Sequence, residues 1–161
     1  MKATRTLSTP RQQRGVYAIE FAMVFMIFFS ILYAVICYGM LFAFRLGLQN
    51  AAEDGARAAL QYQSSVEKRR THAKETATAQ IGWMPSVVTV NVSAQICSAK
   101  EDKCTTAAPY VCGITWSHRC QVTVLVQASN LNLLLPPLPS FALPAQIAGS
   151  ASMLLDMRSE P

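Results

Sequence analysis

Residues 21–44 read FAMVFMIFFSILYAVICYGMLFAF and contain no charged side chain. At about 1.5 Å of rise per residue, a helix over this stretch would be about 36 Å long, against about 30 Å for the hydrocarbon core of a bilayer. The stretch therefore predicts a single membrane-spanning helix. Residues 45–161 remain for a domain outside the bilayer, which is enough for one small domain.

Charge is unevenly distributed around this span. The first 15 residues hold four of the net five positive charges and no acid: Lys2, Arg5, Arg11 and Arg14. A basic flank before a span is typical of the cytoplasmic side, so we expect the N-terminus in the cytoplasm and residues 45–161 across the membrane. Because the rest of the chain is nearly neutral, no nucleic-acid partner is expected.

The remaining composition argues against catalysis. The chain is 52% apolar and 14% charged, with a mean hydropathy of +0.25, which is too apolar for a disordered protein. Its two histidines, His72 and His118, have no nucleophile or acid at an informative spacing, and no phosphate-binding or hydrolase motif occurs. We therefore expect no enzyme and no cofactor. A further basic cluster, interrupted by Glu67 and Glu75, is predicted to be a solvated helix face: Lys68, Arg69, Arg70 and Lys74.

Four of the five cysteines lie beyond the span, at intervals of 7, 8 and 8 residues: Cys97, Cys104, Cys112 and Cys120. An even number of exported cysteines suits an oxidising compartment and predicts two disulfides, with three pairings open. Zinc is the competing interpretation, but its sites usually include a close C-x2-C pair, which is absent, so no metal is expected. Cys37 lies in the span, where a thiol behaves as a small apolar group.

The sequence before the span is Arg14-Gly15-Val16-Tyr17-Ala18-Ile19-Glu20-Phe21. An acid at the edge of a span costs a few kcal/mol without a partner, which makes Glu20 a functional candidate. The stretch resembles the prepilin peptidase site of type IV pilins and their relatives. The resemblance implies cleavage between Gly15 and Val16, after which the new amine lies one helical turn from Glu20 and Glu20 sets subunit register next to Phe21. In the alternative, Glu20 is an interfacial residue of an uncut signal anchor.

Residues 48–59, LQNAAEDGARAA, resemble the stretch that follows the span in the TadE-like family of minor pilin-like proteins of tight adherence (Tad) pili. The resemblance implies a structural subunit in the bacterial inner membrane with a periplasmic C-terminal domain. It also implies three partners: prepilin peptidase, other pilin-like subunits and the Tad secretion machinery. Two alternatives remain open, an uncleaved membrane-anchored assembly factor and an adhesin that exposes its cysteine loop.

Small residues recur at every fourth position through and beyond the span: Gly39, Ala43, Gly47, Ala51, Gly55 and Ala59. Rows of this kind let another backbone approach closely, so the stripe predicts a subunit contact. The alternative is that alanine is simply common in helices.

In the C-terminal half the sequence pattern changes from one typical of helices to one typical of β-strands. Helix is expected to continue from residue 45 to about Gln80, followed by strands near residues 87–96, 121–128 and 145–156, with an irregular proline-rich segment at 131–144. The predicted class is α+β and pilin-like, with a long helix packed on a small antiparallel sheet. The predicted organisation is a cleaved leader (1–15), a transmembrane helix (16–45), its exported continuation (46–84) and a disulfide-stapled β domain (85–161). Trp83 and Trp116 are expected to serve in packing.

Overall fold

The computed structural model describes residues 14–100, 103–106, 109–110, 112–133 and 143–155. Within these ranges it has two α-helices, α1 (Arg14–Ala58) and α2 (Val66–Gln80). It also has four strands, β1 (Thr89–Ser98), β2 (Cys104–Thr105), β3 (Cys120–Ser129) and β4 (Gln146–Leu154). A long apolar helix followed by a small antiparallel sheet confirms the α+β class.

Some predicted features lie outside the described residues. They are the leader residues Lys2, Arg5 and Arg11, most of the proline-rich segment, and Asp156 at the predicted end of the last strand. Of the proline-rich segment, Leu131–Leu133 forms a short 3-10 turn.

α1 is a single helix of 45 residues, and the chain divides into two compact units after Gly39. In the first unit, almost every large apolar side chain is exposed, among them Phe21 at 71% and Met26 at 72%. By length and composition, the helix over Val16–Ala58 could cross a membrane. So many exposed apolar side chains need lipid or another apolar surface in place of water. The second unit, from Met40 onward, is called the C-terminal unit below.

The helix that we expected to run unbroken to Gln80 is interrupted. α1 ends at Ala58, and Leu60 and Gln61 donate backbone hydrogen bonds to the carbonyls of Arg57 and Ala58 in a tight turn. α2 begins after Ser65, whose hydroxyl accepts a hydrogen bond from the Lys68 backbone N–H at 3.2 Å. Serine is a favoured N-cap because its oxygen satisfies one of the free N–H groups of the first turn. The prediction missed the break between α1 and α2, but the predicted helix end at Gln80 agrees with the end of α2.

The sheet is antiparallel in the order β2-β1-β3-β4. β1 pairs with β3 from Thr89↔Ser129 to Ser98↔Cys120, and β3 pairs with β4 from Gln121↔Leu154 to Ser129↔Gln146. Alternate residues of β3 are buried, as expected for a strand with one covered face. The three predicted strands are present with shifts of one or two residues, and the two-residue β2 is an addition.

One face of the sheet is covered by α2 and the last turns of α1, and the core lies between these layers. The core is built from Leu48 and small helix residues against β-branched strand residues, including Ala52, Ala56, Ala73, Ala77, Val122, Val124 and Val126. Small side chains on the helices allow a close approach to the strands, which is how a short sheet buries enough surface.

Two disulfides lie at the end of the sheet where β1 ends and β3 begins. Cys97 bonds Cys104 across the β1–β2 pair, and Cys112 bonds Cys120 at the start of β3. Two disulfides were predicted, and the structure selects one of the three possible pairings. Because each bond closes a loop of seven or eight residues, chain entropy gives about 2.5 kcal/mol of stabilisation for each.

Candidate functional site

The first candidate site is the beginning of α1. Gly15, Val16 and Glu20 lie in the first two turns of this helix, and Val16 and Glu20 are exposed. Residues four apart lie on the same helix face, about 6 Å apart along the axis. An amine created at Val16 would therefore be within one turn of the Glu20 carboxylate.

Glu20 is the single charged residue between positions 16 and 39. Its surroundings on the helix are apolar: Phe21, Phe25 and Phe29 form a stacked row with ring centroids 5.9 Å apart. Further along, the Ser30 hydroxyl donates to its own helix, to the Met26 carbonyl at 2.7 Å. Because that hydroxyl is satisfied internally, Glu20 is the polar group of this segment that most needs an outside partner.

The small-residue stripe serves two different environments. Ala51, Gly55 and Ala59 are buried inside the C-terminal unit, whereas Gly39 and Ala43 are exposed. A Cβ at Gly55 would lie 2.8 Å from the Ala73 carbonyl oxygen and 2.8 Å from the Ala77 Cβ. Beyond Ala43 the stripe is therefore filled by the chain's own α2, sheet and, at Gly47, Trp83. The prediction of a continuous subunit groove is wrong there, because α2 turns back onto α1. For Gly39 and Ala43 a subunit contact stays a prediction.

Sequence reasoning missed the contact between α1 and the edge strand β4. Gly149 lies so close to α1 that a Cβ there would be 2.5 Å from the Gln49 backbone nitrogen. Beside it, the Gln49 amide donates to the Ser150 carbonyl at 3.0 Å and accepts from the Ser150 N–H at 3.1 Å. The amide thus replaces a neighbouring strand at one residue of an open edge. An isolated glycine within a strand pattern was the available signal.

Glu67 and Arg70 on α2 and Tyr110 form a polar cluster. The Glu67 carboxylate accepts hydrogen bonds from Arg70, including one from Nε at 3.1 Å, and another from the Tyr110 hydroxyl at 2.5 Å. These two partners lower the pKa of Glu67 from 4.5 to about 2, the Arg70 hydrogen bond being the larger cause. The cluster joins the start of α2 to the segment that precedes Cys112.

The Glu67 cluster predicts acid sensitivity. Since the folded-state pKa of Glu67 is below 4.5, the pair contributes stability above about pH 4.5 and loses it as the pH falls toward about 2. The Glu67→Gln variant should unfold at a lower urea concentration than the wild type at pH 7. Its free energy of unfolding should also fall less than that of the wild type between pH 5 and pH 2.5. Urea unfolding at both pH values measures this, with Glu75→Gln on the same helix as the control. Equal acid losses in wild type and Glu67→Gln would contradict the assignment.

The basic cluster on α2 is only partly a solvated face. Lys68 and Lys74 are exposed, whereas Arg69 is only 3% exposed and Arg70 is paired with Glu67. Among the described residues, the Nε of Arg69 has no hydrogen-bond partner. The prediction failed for Arg69 because α2 packs on the sheet through this side, together with Ala73 and Ala77.

The two histidines lie in different surroundings. The His72 Nε2 lies 3.0 Å from the Gln61 side-chain oxygen, and His118 is exposed in a 3-10 turn. Within the described ranges, no three His, Cys, Asp or Glu residues are grouped so as to hold a metal ion. Of the two tryptophans, Trp83 packs on Phe44 and Trp116 is 62% exposed.

Comparison with known proteins identifies the N-terminal part. The model of the TadE-like protein family matches residues 15–57, which confirms the resemblance over that range. No curated protein and no solved structure matches the chain. The match covers the beginning of α1, the apolar stretch and the turns of α1 that enter the core, but neither α2 nor the sheet. Together with the long apolar helix, it indicates a membrane-anchored protein related to Tad pili.

Proposed function

We propose that this chain, whose residues 15–57 match the TadE-like family, is a minor pilin-like structural subunit of a tight adherence pilus. It is made as an inner-membrane precursor, with a cytoplasmic leader and a periplasmic C-terminal unit, and is cut by prepilin peptidase between Gly15 and Val16. Its partners are other pilin-like subunits and the Tad secretion machinery. Its role is structural and not catalytic.

The spacing between Gly15 and Glu20 at the start of an apolar helix is the observation that carries this proposal. Both residues lie on α1, and the uncharged stretch of residues 21–44 follows directly. Cleavage after Gly15 removes all four leader cations and therefore the electrostatic anchor on the cytoplasmic side. It also places a new cation within one turn of Glu20, or within reach of Glu20 in a neighbouring subunit.

The two disulfides of the C-terminal unit support a role outside the cytoplasm. Its core lies between a disulfide-stapled sheet and the helix layer made by α2 and the last turns of α1. Disulfides of this kind suit the oxidising periplasm.

The test is the intact mass and N-terminal sequence of the protein extracted from membranes of cells with and without prepilin peptidase. We expect a chain that starts at Val16 only when the peptidase is present. The matched control is Gly15→Val, which should remain uncut in both strains while it still inserts. If residues 1–15 are retained in both strains, the alternative of an uncleaved assembly factor replaces this proposal.

A further inference from the structure

Trp83 occupies an unusual position for a large aromatic side chain in a small domain. It follows α2, and its ring stacks on Phe44 of α1 with centroids 5.7 Å apart and an angle of 7° between the planes. The ring also lies directly over Gly47, where a Cβ would be 2.5 Å from it. Trp83 is nevertheless 52% exposed. One part of the ring packs on α1, and the other part is exposed.

The surroundings of Trp83 are apolar as well. Phe42 and Leu46 are exposed on another side of α1, at 61% and 48%, and Val87 is exposed in the turn that leads to β1. We call this part of the C-terminal unit the Trp83 end: residues 40–47, the turn at 81–88, and the strand ends at Thr89, Ser129 and Gln146. The strand ends belong to it because β1 starts directly after the turn and pairs Thr89 with Ser129, which in turn pairs with Gln146.

Arg45 is the single charged residue of the Trp83 end. Residues 76–99 and 120–155 contain no charged residue, and residues 21–52 contain only Arg45. The opposite end of the sheet is charged, with Lys100 and Lys103 after β1 and Arg119 before β3. The start of α2 adds Glu67 and Lys68. A water-exposed domain has no reason to concentrate its charges at one end, whereas a domain resting on a bilayer does.

A helix over the apolar stretch is long enough to connect the headgroup layers of the two leaflets. From Phe21 to Phe44 the helix rises about 36 Å, which exceeds the hydrocarbon core of about 30 Å but not the 40–45 Å that includes the headgroups. A helix of this length that starts in the headgroups at Glu20 ends near Phe44 in the headgroup layer of the other leaflet, and the Trp83 ring stacks on Phe44. Tryptophan is enriched in this layer because its ring is apolar and its N–H is polar. The guanidinium of Arg45 suits the lipid phosphates at the same level.

We propose that the Trp83 end is a membrane-resting surface, with the Trp83 ring inserted at the headgroup boundary of the leaflet from which the C-terminal unit emerges. The lipid surface is favoured over a second copy of the chain because the exposed residues surround α1 on more than one side and continue directly from the uncharged stretch. The proposal rests on α1 spanning a membrane and not on cleavage at Gly15.

The test uses the two tryptophans of the full-length protein, reconstituted in phosphatidylcholine vesicles with 20% phosphatidylglycerol (about one anionic lipid in five, for Arg45). Trp116→Phe leaves Trp83 as the sole tryptophan, and Trp83→Phe leaves Trp116. The two residues lie near opposite ends of the ten-residue strands β1 and β3, about 30 Å apart. Lipids brominated near the headgroup quench a ring at that level, and aqueous iodide quenches a ring in water.

We expect the Trp83 emission to be blue-shifted and to fall at least about twofold with the brominated lipids, as for an interfacial ring. Trp116 should respond to iodide and not to bromine. Quenching of Trp83 by iodide alone would overturn the proposal, because the ring would be in water. Quenching by neither agent would also overturn it, because protein would then cover the ring. Flotation of each sample with its vesicles verifies insertion, and the wild-type signal minus that of Trp83→Phe gives the Trp83 response if Trp116→Phe misfolds.

Discussion

Gly149→Val is expected to destabilise the C-terminal unit by about 3 kcal/mol or more, which makes it the most damaging single substitution among those considered. The reason is the backbone that lies opposite. A Cβ at position 149 would be 2.5 Å from the Gln49 nitrogen and 2.5 Å from the Leu48 carbonyl carbon, and a helix backbone cannot move aside as a side chain can. β4 would have to separate from α1, with loss of the Gln49–Ser150 hydrogen bonds.

Ala148→Val is the matched control for this substitution. Ala148 is the preceding residue of the same strand, and its side chain is exposed on the other face of the sheet. Since valine favours strands, this change should be neutral within about 0.5 kcal/mol. Urea unfolding of the two variants and the wild type, with the disulfides intact, measures the difference. Equal midpoints for Gly149→Val and Ala148→Val would show that α1 and β4 are not in contact in solution.

Glu20→Gln is expected to abolish co-assembly with pilus partners while it leaves membrane insertion and cleavage in place. Glutamine keeps the size of the side chain but removes the charge that would pair with the Val16 amine of the same or a neighbouring subunit. A charge pair at the edge of a membrane is worth a few kcal/mol, so the recovery of partners should fall by at least about tenfold, which corresponds to 1.4 kcal/mol. This prediction depends on the proposed function.

Co-purification with pilus components, together with N-terminal sequencing of the recovered chain, measures this effect. Ser30→Ala is the control, because Ser30 lies on the same exposed helix and its hydroxyl bonds only within that helix. Normal fibres and normal recovery from Glu20→Gln would refute the register role. Failure to cleave would instead assign Glu20 to peptidase recognition.

Local patterns were enough to predict most secondary structure. The alternation of valines predicted the strands, because burial of one sheet face has a period of two residues. The even number of cysteines beyond the span predicted two disulfides. The missed break at Ala58 was also local in origin, since Ser65 carries an N-cap signal that a predominantly helical composition obscured.

The contacts of the core were not predictable in this way. The sequence displays Gly47 and Gly55 as members of one regular stripe, yet Trp83 lies over the first and α2 over the second. Likewise, Arg69 and Lys68 are adjacent cations, of which one is buried and the other exposed. Each outcome depends on which segment returns to cover the residue, and that choice is made by the whole packing.

Three features were predictable from the sequence alone: the apolar helix that can span a membrane, the presence of two disulfides and the α+β class. These features follow from composition, length and spacing along one element, which do not depend on distant parts of the chain. Four features became known only from the tertiary structure: the disulfide pairing, the division of the small-residue stripe, the packing of β4 on α1 and the apolar end around Trp83. They depend on contacts between residues far apart in the chain, and the energy of such contacts is defined only once the intervening segments are folded.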